Sequence, residues 1–206
     1  ETEISGILKE TSGYPLGVAI TAHNMAGGRA FGSELIAQCY HEVFFYFEAA
    51  VYHRFDLPIR RFLLELAPFE SFDVEMARMV SGDSKAGELL GWLQRNTTML
   101  RPDGVGRYRF WAQFRTFLLW EMDREYTVEK RRTVLNRGGL YYELKEDYSH
   151  ALECYTLGGD HSKVSELLVR NAELHPGMGH YSEMEKYYRN LPEEEISASP
   201  ALMQGM

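Results

Sequence analysis

The stretch from Ser84 to Trp120 constrains the fold of this chain most, because three different sequence patterns, typical of helix, strand and turn, occur within it. Its first and last parts place apolar residues at helical spacing. Between them lie two short runs, Thr97–Leu100 and Tyr108–Trp111, with the threonine and aromatic content of strands. The helical positions are Ala86, Leu89, Leu90 and Leu93 before the runs and Phe114, Phe117, Leu118 and Met122 after them.

The residues between the two strand-like runs predict a β-hairpin. Pro102, Gly104 and Gly106 punctuate this connection, and such residues let neighbouring strands fold back on each other. Helix, strand, turn, strand and helix is the order of the second half of a winged-helix domain. We therefore predict a mainly α fold in which a winged-helix domain with a small β wing occupies residues 41–125.

The segments on either side of this domain are predicted to be helical. In residues 126–206, Tyr148 and Tyr181 each begin a similar helical pattern, and they lie 33 residues apart. Because this spacing is close to the ~34 residues of a tetratricopeptide unit, we predict a truncated helical arm of that kind. Residues 1–40 form a separate segment with a turn at Gly13–Pro15.

Several element boundaries follow from turn and capping residues. His23–Ser33 contains three glycines and predicts a loop, and a helix is expected over Glu42–Arg54. Asp56 is expected to cap the next helix. Glycines 82, 138, 158, 159 and 179 are expected between helices, and Asp83 or Ser84 before the helix of Ala86. The charged run Asp123–Arg137 predicts a solvated helix face.

Composition limits the class of protein. The chain has 206 residues, a net charge of −8 and 25% charged residues, which is typical of a folded soluble protein. It has no apolar run near the ~20 residues that a membrane helix needs, and no secretory signal pattern. Cys39 and Cys154 predict free thiols in a reducing compartment, so we expect a cytoplasmic protein without a membrane partner. The start at Glu1 suggests an excised internal fragment.

No motif predicts an enzyme. A phosphate-binding loop with its Gly-Lys-Ser/Thr ending is missing from the sequence, as is a Gly-x-Ser-x-Gly elbow. His150 and Cys154 are four residues apart and would share a helix face. Structural metal sites usually have four ligands, so this pair is better interpreted as ordinary helix residues, and we expect no metal. His175 and His180 are expected in a loop between helices.

A winged helix must also be considered as a DNA reader. The helix before the wing offers Lys85, Gln94, Arg95 and Asn96, opposed by Glu88. The wing adds Arg101, Arg107 and Arg109, opposed by Asp103. This footprint is only mildly basic, and phosphate neutralisation supplies most non-specific DNA affinity. The alternative is that the aromatic wing contacts another protein domain, through Arg107, Tyr108, Arg109, Phe110 and Trp111.

The order of these features resembles the middle of the MalT-type regulators, which are large ATP-binding regulators of the LuxR class within the STAND group of ATPases. The stretch Thr11–Gly17 resembles the Gly-x-Pro motif that ends their ATPase module. Phe62–Gly82 resembles the opening of their winged helix, and Tyr108–Phe110 with Phe114–Leu118 resembles its wing and next helix. The later matching segments are Asp147–Leu168 and the connector Leu191–Glu194.

The resemblance implies functional roles that residue spacing alone does not. It implies that Gly13 and Pro15 lie against the adenine of ATP or ADP bound by the parent protein, while the fragment itself needs no cofactor. It implies that the winged helix contacts the protein's own ATPase domains in the resting state. An inducer of unknown identity would release it, the protein would self-associate, and a separate C-terminal helix-turn-helix would bind DNA. The sequence departs from the family pattern at Trp111, where a phosphate-sensing His is expected.

We therefore interpret the chain as an internal fragment of an ATP-dependent transcriptional regulator. Residues 1–40 would end the nucleotide module, followed by the winged helix and the helical arm. This fragment would transmit a signal and would not catalyse a reaction. Two alternatives stay open, namely a tetratricopeptide-like protein-interaction scaffold and a DNA-binding winged-helix protein.

Overall fold

A computed structural model describes residues 2–11, 13–174 and 181–204. The chain divides into two compact units, Glu1–Glu125 and Tyr126–Met206, and each is described by itself. In the described part of the first unit, helices and short strands alternate. They are α1 (Thr2–Thr11), α2 (Pro15–Ala26), α3 (Ser33–Tyr46), α4 (Leu57–Leu66), β1 (Phe72–Asp73), α5 (Val74–Ser81), α6 (Ala86–Asn96), β2 (Leu100–Pro102), β3 (Arg107–Phe110) and α7 (Ala112–Glu125).

The core of the first unit is aromatic and is arranged around α7. The rings of Phe114 and Phe117, both fully buried, lie 5.2 and 5.6 Å from the ring of Phe47. Leu118 and Met122 are buried on the same helix. The apolar spacing seen in the sequence therefore corresponds to the buried face of α7. Aromatic rings at such centroid distances add favourable edge contacts to the area that they bury.

The winged-helix part consists of α4, α5, α6 and a three-stranded sheet within the described residues. The sheet has the order β1-β3-β2, and β3 pairs antiparallel with both neighbours. The two wing strands lie at Leu100–Pro102 and Arg107–Phe110, so each is shifted from its predicted bounds by one or more residues. The sequence did not reveal β1, since a strand of two residues has no measurable alternation.

Two helix boundaries and one capping contact differ from expectation. The predicted loop His23–Ser33 is shorter, because α2 continues to Ala26 and α3 begins at Ser33. The helix expected over Glu42–Arg54 is the end of α3 followed by a π-helix, Phe47–Val51, and a 3₁₀ turn, Tyr52–Arg54. Asp56 occupies the N-cap position of α4 but its side chain accepts no capping hydrogen bond.

The caps around α5 and α6 are formed by side chains close in sequence. The carboxylate of Asp73 accepts a 2.7 Å hydrogen bond from the backbone N–H of Met76 and so caps α5. Gly82 ends α5 with φ of 70°, which is the left-handed conformation expected there. The N-cap residue of α6 is Lys85, whose N–H donates to the carboxylate of Asp83 at 2.8 Å.

The second unit is helical over its described residues. An antiparallel pair, α8 and α9, is followed by α10, and the buried residues of α9 and α10 share one cluster with Tyr187 and Leu191. Gly139 packs against the ring of Tyr155, where a Cβ atom would come within 2.7 Å of a ring carbon. The helices are α8 (Val128–Leu144), α9 (Tyr148–Gly158), α10 (His161–Leu174), α11 (Tyr181–Tyr188), α12 (Glu193–Ala198) and α13 (Pro200–Gln204).

The repeated sequence pattern of the arm corresponds to repeated helix starts. Asp147 accepts from the N–H of His150 at 3.3 Å, and Asp160 accepts from the N–H of Lys163 at 3.1 Å. Gly159 ends α9 with φ of 68°, as expected. The expectation for Gly138 was wrong, because this residue is buried inside α8. His175, Gly179 and His180 lie outside the described residues.

The predicted fold class is confirmed. The chain is mainly α, with a small β wing and a helical arm after it. The charged run Asp123–Arg137 is divided between two helices, because α7 ends at Glu125 and Thr127 caps α8 through the N–H of Lys130. Among the described helices, none combines the length and apolarity that crossing a bilayer requires.

The two aspartates before α4 and α5 provide a matched test of capping. We expect Asp73→Ala to lower the free energy of unfolding of residues 1–125 by about 1 kcal/mol, because the N–H of Met76 loses its acceptor. Asp56→Ala should change it by less than about 0.5 kcal/mol, since no capping bond is lost. Urea denaturation can be followed by tryptophan fluorescence, because Trp92, Trp111 and Trp120 all lie in this unit. Equal effects of the two changes would contradict the assignment.

Candidate protein-interaction site at the wing

The wing is a short antiparallel hairpin with two distinct faces. Leu100 pairs with Phe110 and Arg101 pairs with Arg109. The N–H of Asp103 donates to the carbonyl of Arg107 at 2.9 Å and closes the turn. Gly104 and Gly106 have φ of 84° and 69°, which residues with a Cβ atom rarely adopt. Because side chains alternate along a strand, Phe110 lies on the inner face and Arg109 on the outer face.

Phe110 belongs to the core of the domain. Its ring lies 5.1 Å from that of Phe72 and 5.9 Å from that of Phe114, and the residue is 3% exposed. Tyr108 is partly exposed and pairs with Phe72 in the sheet register. Of the five predicted interaction residues, the structure therefore places the ring of Phe110 inside and the other four at the partly exposed surface.

Two wing arginines form contacts within the domain. Arg107 donates to the hydroxyl and the carbonyl of Ser71 at 3.0 and 3.1 Å. Arg109 donates to the carboxylate of Asp103 at 2.8 Å and lies 3.9 Å from Glu70. The hydrogen bond from Arg109 lowers the pKa of Asp103. These hydrogen bonds stabilise the wing. They also occupy guanidinium N–H groups that would otherwise be available to bind the phosphates of DNA.

Trp111 lies at the base of the wing and touches two other elements. Its backbone N–H continues the ladder by donating to the carbonyl of Met99 at 3.2 Å. The guanidinium carbon of Arg101 lies 4.5 Å from the ring centroid, within the range of a cation–π contact. The ring centroid of Tyr14 lies 5.8 Å from the ring centroid of Trp111.

Tyr14 attaches the N-terminal helices to the wing. Its side chain is only 6% exposed, its ring lies 5.6 Å from that of Phe47, and its hydroxyl lies 3.8 Å from the sulfur of Met99. Burial raises the pKa of this hydroxyl. The sequence analysis did not identify Tyr14, although an aromatic residue between Gly13 and Pro15 was a usable signal.

The predicted nucleotide-binding pair lies on both sides of this anchor. Gly13 has φ of 70° and its N–H donates to the carbonyl of Leu8 at 3.1 Å. Pro15 begins α2 at a position where a missing N–H costs nothing. Because Tyr14 is buried against Trp111, the Gly13–Pro15 turn is fixed at the base of the wing. Through Tyr14, the structure thus brings the turn of Gly13 and Pro15 close to Trp111, which is distant from them in sequence.

Helix α2 also packs closely on α7 beside this turn. A Cβ atom at Gly17 would overlap the side-chain amide of Gln113. Gln113 is 4% exposed and Thr21 is 3% exposed, so the contact is shielded from water. A larger residue at position 17 would therefore require the side chain of Gln113 to move.

The helix before the wing, α6, presents a mixed surface. Its candidate DNA-contacting side chains are exposed, namely Lys85, Gln94, Arg95 and Asn96. The same surface carries Trp92, which is 39% exposed and lies 6.2 Å from Phe55. An exposed tryptophan with few cations around it is more typical of protein contacts than of DNA contacts.

A second polar cluster lies where the π-helix meets the end of α7. Arg124 contacts the carboxylates of Glu121 and Glu48 at 2.7 and 3.4 Å. The hydroxyl of Tyr52 donates to Glu125 at 2.9 Å. Burial raises the pKa of Glu121, while Arg124 lowers it. Glu121 is 3% exposed, so its carboxylate is compensated mainly by Arg124.

His150 and Cys154 both lie on α9, one helical turn apart. His150 Nδ1 lies 2.8 Å from the carboxylate of Asp147, and its ring stacks on Tyr142 at 5.0 Å. Burial raises the pKa of the Cys154 thiol to about 12, which disfavours the thiolate form that metals bind. No group of three or more potential ligands is assembled within the described part of the chain.

The comparison with known families agrees with this geometry. Residues 48–130 match the family model described as the MalT winged helix domain. The matched segment includes α4 to α7 and the whole wing. No curated protein matches the chain. This segment is therefore a winged helix of the MalT type, and the match supports the interpretation of the chain as a fragment of a MalT-type regulator.

The anchor residue predicts a large difference between two substitutions. We expect Tyr14→Ala to lower the free energy of unfolding of residues 1–125 by about 3–5 kcal/mol, because a buried ring is lost. Tyr14→Phe should cost less than about 1.5 kcal/mol, since the ring contacts with Phe47 and Trp111 remain. Urea denaturation followed by tryptophan fluorescence measures both values. Similar losses in the two variants would assign the stability to the hydroxyl instead.

The raised pKa of Glu121 predicts a pH dependence of stability. The native state binds a proton at this carboxyl more tightly than the unfolded chain does. The resulting destabilisation is present above the raised native pKa and disappears as the pH falls towards the ordinary pKa of glutamic acid. We expect Glu121→Gln to lack this increase in unfolding free energy on acidification, measured by urea denaturation at several pH values. Glu88→Gln, at an exposed position, is the control and should keep the wild-type pH profile.

Proposed function

We propose that this chain is the regulatory middle of an ATP-dependent transcriptional regulator of the MalT type, and that its winged helix binds protein and not DNA. In the resting state the winged helix would contact the protein's own nucleotide-binding domains. The single observation that carries this proposal is the arrangement at the wing. The side chains of Arg107 and Arg109 are bound to residues of the domain itself, while Trp111 joins the wing to Tyr14.

The position of the Gly13–Pro15 turn supports a conformational role. Tyr14 links this turn to the wing through a buried aromatic contact. If Gly13 and Pro15 border the adenine of ATP or ADP in the parent protein, a change at the nucleotide would reach the wing through Tyr14. The chain itself would need no cofactor and would not be an enzyme.

The remaining steps of the mechanism follow from the resemblance. An inducer would release the winged helix, the regulator would self-associate, and a separate C-terminal helix-turn-helix would bind DNA. Such a regulator would work in the cytoplasm, within the LuxR class and the STAND group of ATPases. The acidic net charge of −8 agrees with assigning DNA binding to another domain.

The helical arm supports a second candidate function, that of a protein-interaction scaffold. Leu140, Leu144 and Leu157 are 42%, 64% and 63% exposed on α8 and α9. Exposed leucines on adjacent helices are common where a further helix or a partner packs. In the regulator, this arm would take part in inducer response or self-association.

Binding of duplex DNA distinguishes the proposal from the DNA-reader alternative. We expect the chain to show no binding to mixed-sequence duplex DNA at low salt, measured by fluorescence anisotropy. A DNA reader that neutralises several phosphates would bind at low salt and lose affinity steeply as salt rises. That steep salt dependence would overturn the proposal.

The autoinhibitory role can be tested in the whole regulator. We expect Trp111→Ala to raise transcription without inducer by about fivefold or more, because a coupling of ~1–3 kcal/mol between domains would be weakened. Val105→Ala is the matched control, since Val105 lies fully exposed at the wing tip. Immunoblotting and thermal unfolding would show whether the variant is still folded. A folded Trp111 variant with unchanged basal transcription would contradict the proposal.

A further inference from the structure

Arg101 differs from the other wing arginines in its surroundings. It lies on β2 directly opposite Arg109 in the sheet register. Two like charges facing each other across a strand pair are unfavourable unless anions compensate them. The charge of Arg109 is compensated by Asp103 at 2.8 Å and, more weakly, by Glu70 at 3.9 Å.

The charge of Arg101 has no such compensation. No carboxylate of the described residues forms an ion pair with it. Its Nε atom, like that of Arg109, is buried and has no hydrogen-bond acceptor among those residues, so the missing ion pair is what distinguishes Arg101. A buried donor without an acceptor is unfavourable, and most such groups in folded proteins have a partner. As a whole residue, Arg101 is partly exposed.

Trp111 holds this guanidinium in place. The centroid of its ring lies 4.5 Å from the guanidinium carbon, and Tyr14 packs against the same tryptophan. A guanidinium held by a ring on its face keeps its edge available for hydrogen bonds. Because the guanidinium is planar and already positioned, it can donate two parallel hydrogen bonds to a carboxylate with little loss of side-chain entropy.

We propose that Arg101 is the docking point for a single carboxylate, from an aspartate or glutamate of another protein domain that binds the wing. This inference rests on the proposed function, in which the winged helix is a protein-binding surface. Arg101 would bind the carboxylate, while Trp111 and Tyr14 would act as positioning residues.

The local charge favours a carboxylate over a phosphate group. Arg107 hydrogen-bonds to the neutral Ser71, and two carboxylates lie near Arg109, Asp103 from the wing and Glu70 from the segment before β1. A phosphate dianion at Arg101 would be repelled by these two carboxylates about twice as strongly as a carboxylate monoanion would be. The planar carboxylate also matches the edge of the guanidinium in geometry.

The site can be tested on the full chain by nuclear magnetic resonance of the arginine Nε–Hε groups. N-acetylglutamate α-amide is the probe, and N-acetylglutamine amide and inorganic phosphate are compared with it at equal ionic strength. We expect the carboxylate probe to shift the Arg101 signal along a saturable curve. The glutamine probe should produce no shift, and phosphate should bind more weakly.

Substitutions of matched charge identify the residue that binds. Arg101→Gln should abolish the saturable response of the domain, and Arg101→Lys should weaken the association by about tenfold, because one of two charge-assisted hydrogen bonds is lost. Arg95→Gln removes the same charge from exposed α6 and should leave the response unchanged. The backbone spectrum of each variant shows whether it is folded.

Several results would overturn the inference. Equal linear shifts of Arg95 and Arg101 would indicate general ionic screening, and tighter binding of phosphate would assign the site to phosphate. If the Arg101 signal does not respond and the chain does not bind duplex DNA, the inference fails while the proposed function stands. If the chain binds duplex DNA with steep salt dependence, the proposed function itself fails.

Discussion

The rings of Phe47, Phe114 and Phe117 bury one another at the centre of residues 1–125, and the other elements of this unit depend on that contact. Phe47 belongs to the π-helix that follows α3, while Phe114 and Phe117 belong to α7. Phe110 joins the wing to this cluster through Phe114. A wing of only three and four residues per strand would be marginal alone, so its position depends on this aromatic core.

The same core explains how the N-terminal helices are connected with the wing. Tyr14 contacts Phe47 on one element and Trp111 on another, and both contacts are shielded from water. The ring of Trp111 in turn holds the guanidinium of Arg101. A displacement of the Gly13–Pro15 turn would therefore change the surroundings of Arg101 through packed side chains.

The contacts of the three wing arginines separate residues that the sequence grouped together. From residue types alone, Arg101, Arg107 and Arg109 formed one basic wing. The structure separates them, because Arg107 bonds to Ser71, Arg109 to Asp103, and Arg101 stacks on Trp111. Ser71 and Arg107 are 36 positions apart, so no local pattern could have indicated their contact.

The sequence by itself determined the order of elements around the wing and the helical character of the arm. Helical spacing at Phe114, Phe117 and Leu118 and the glycines at the wing tip specify local backbone conformation, which depends on neighbouring residues. Only the tertiary structure decided the role of Tyr14, the strand Phe72–Asp73 and the π-helix at Phe47–Val51. Each of these depends on packing between residues far apart in the chain, and such packing can override local propensity.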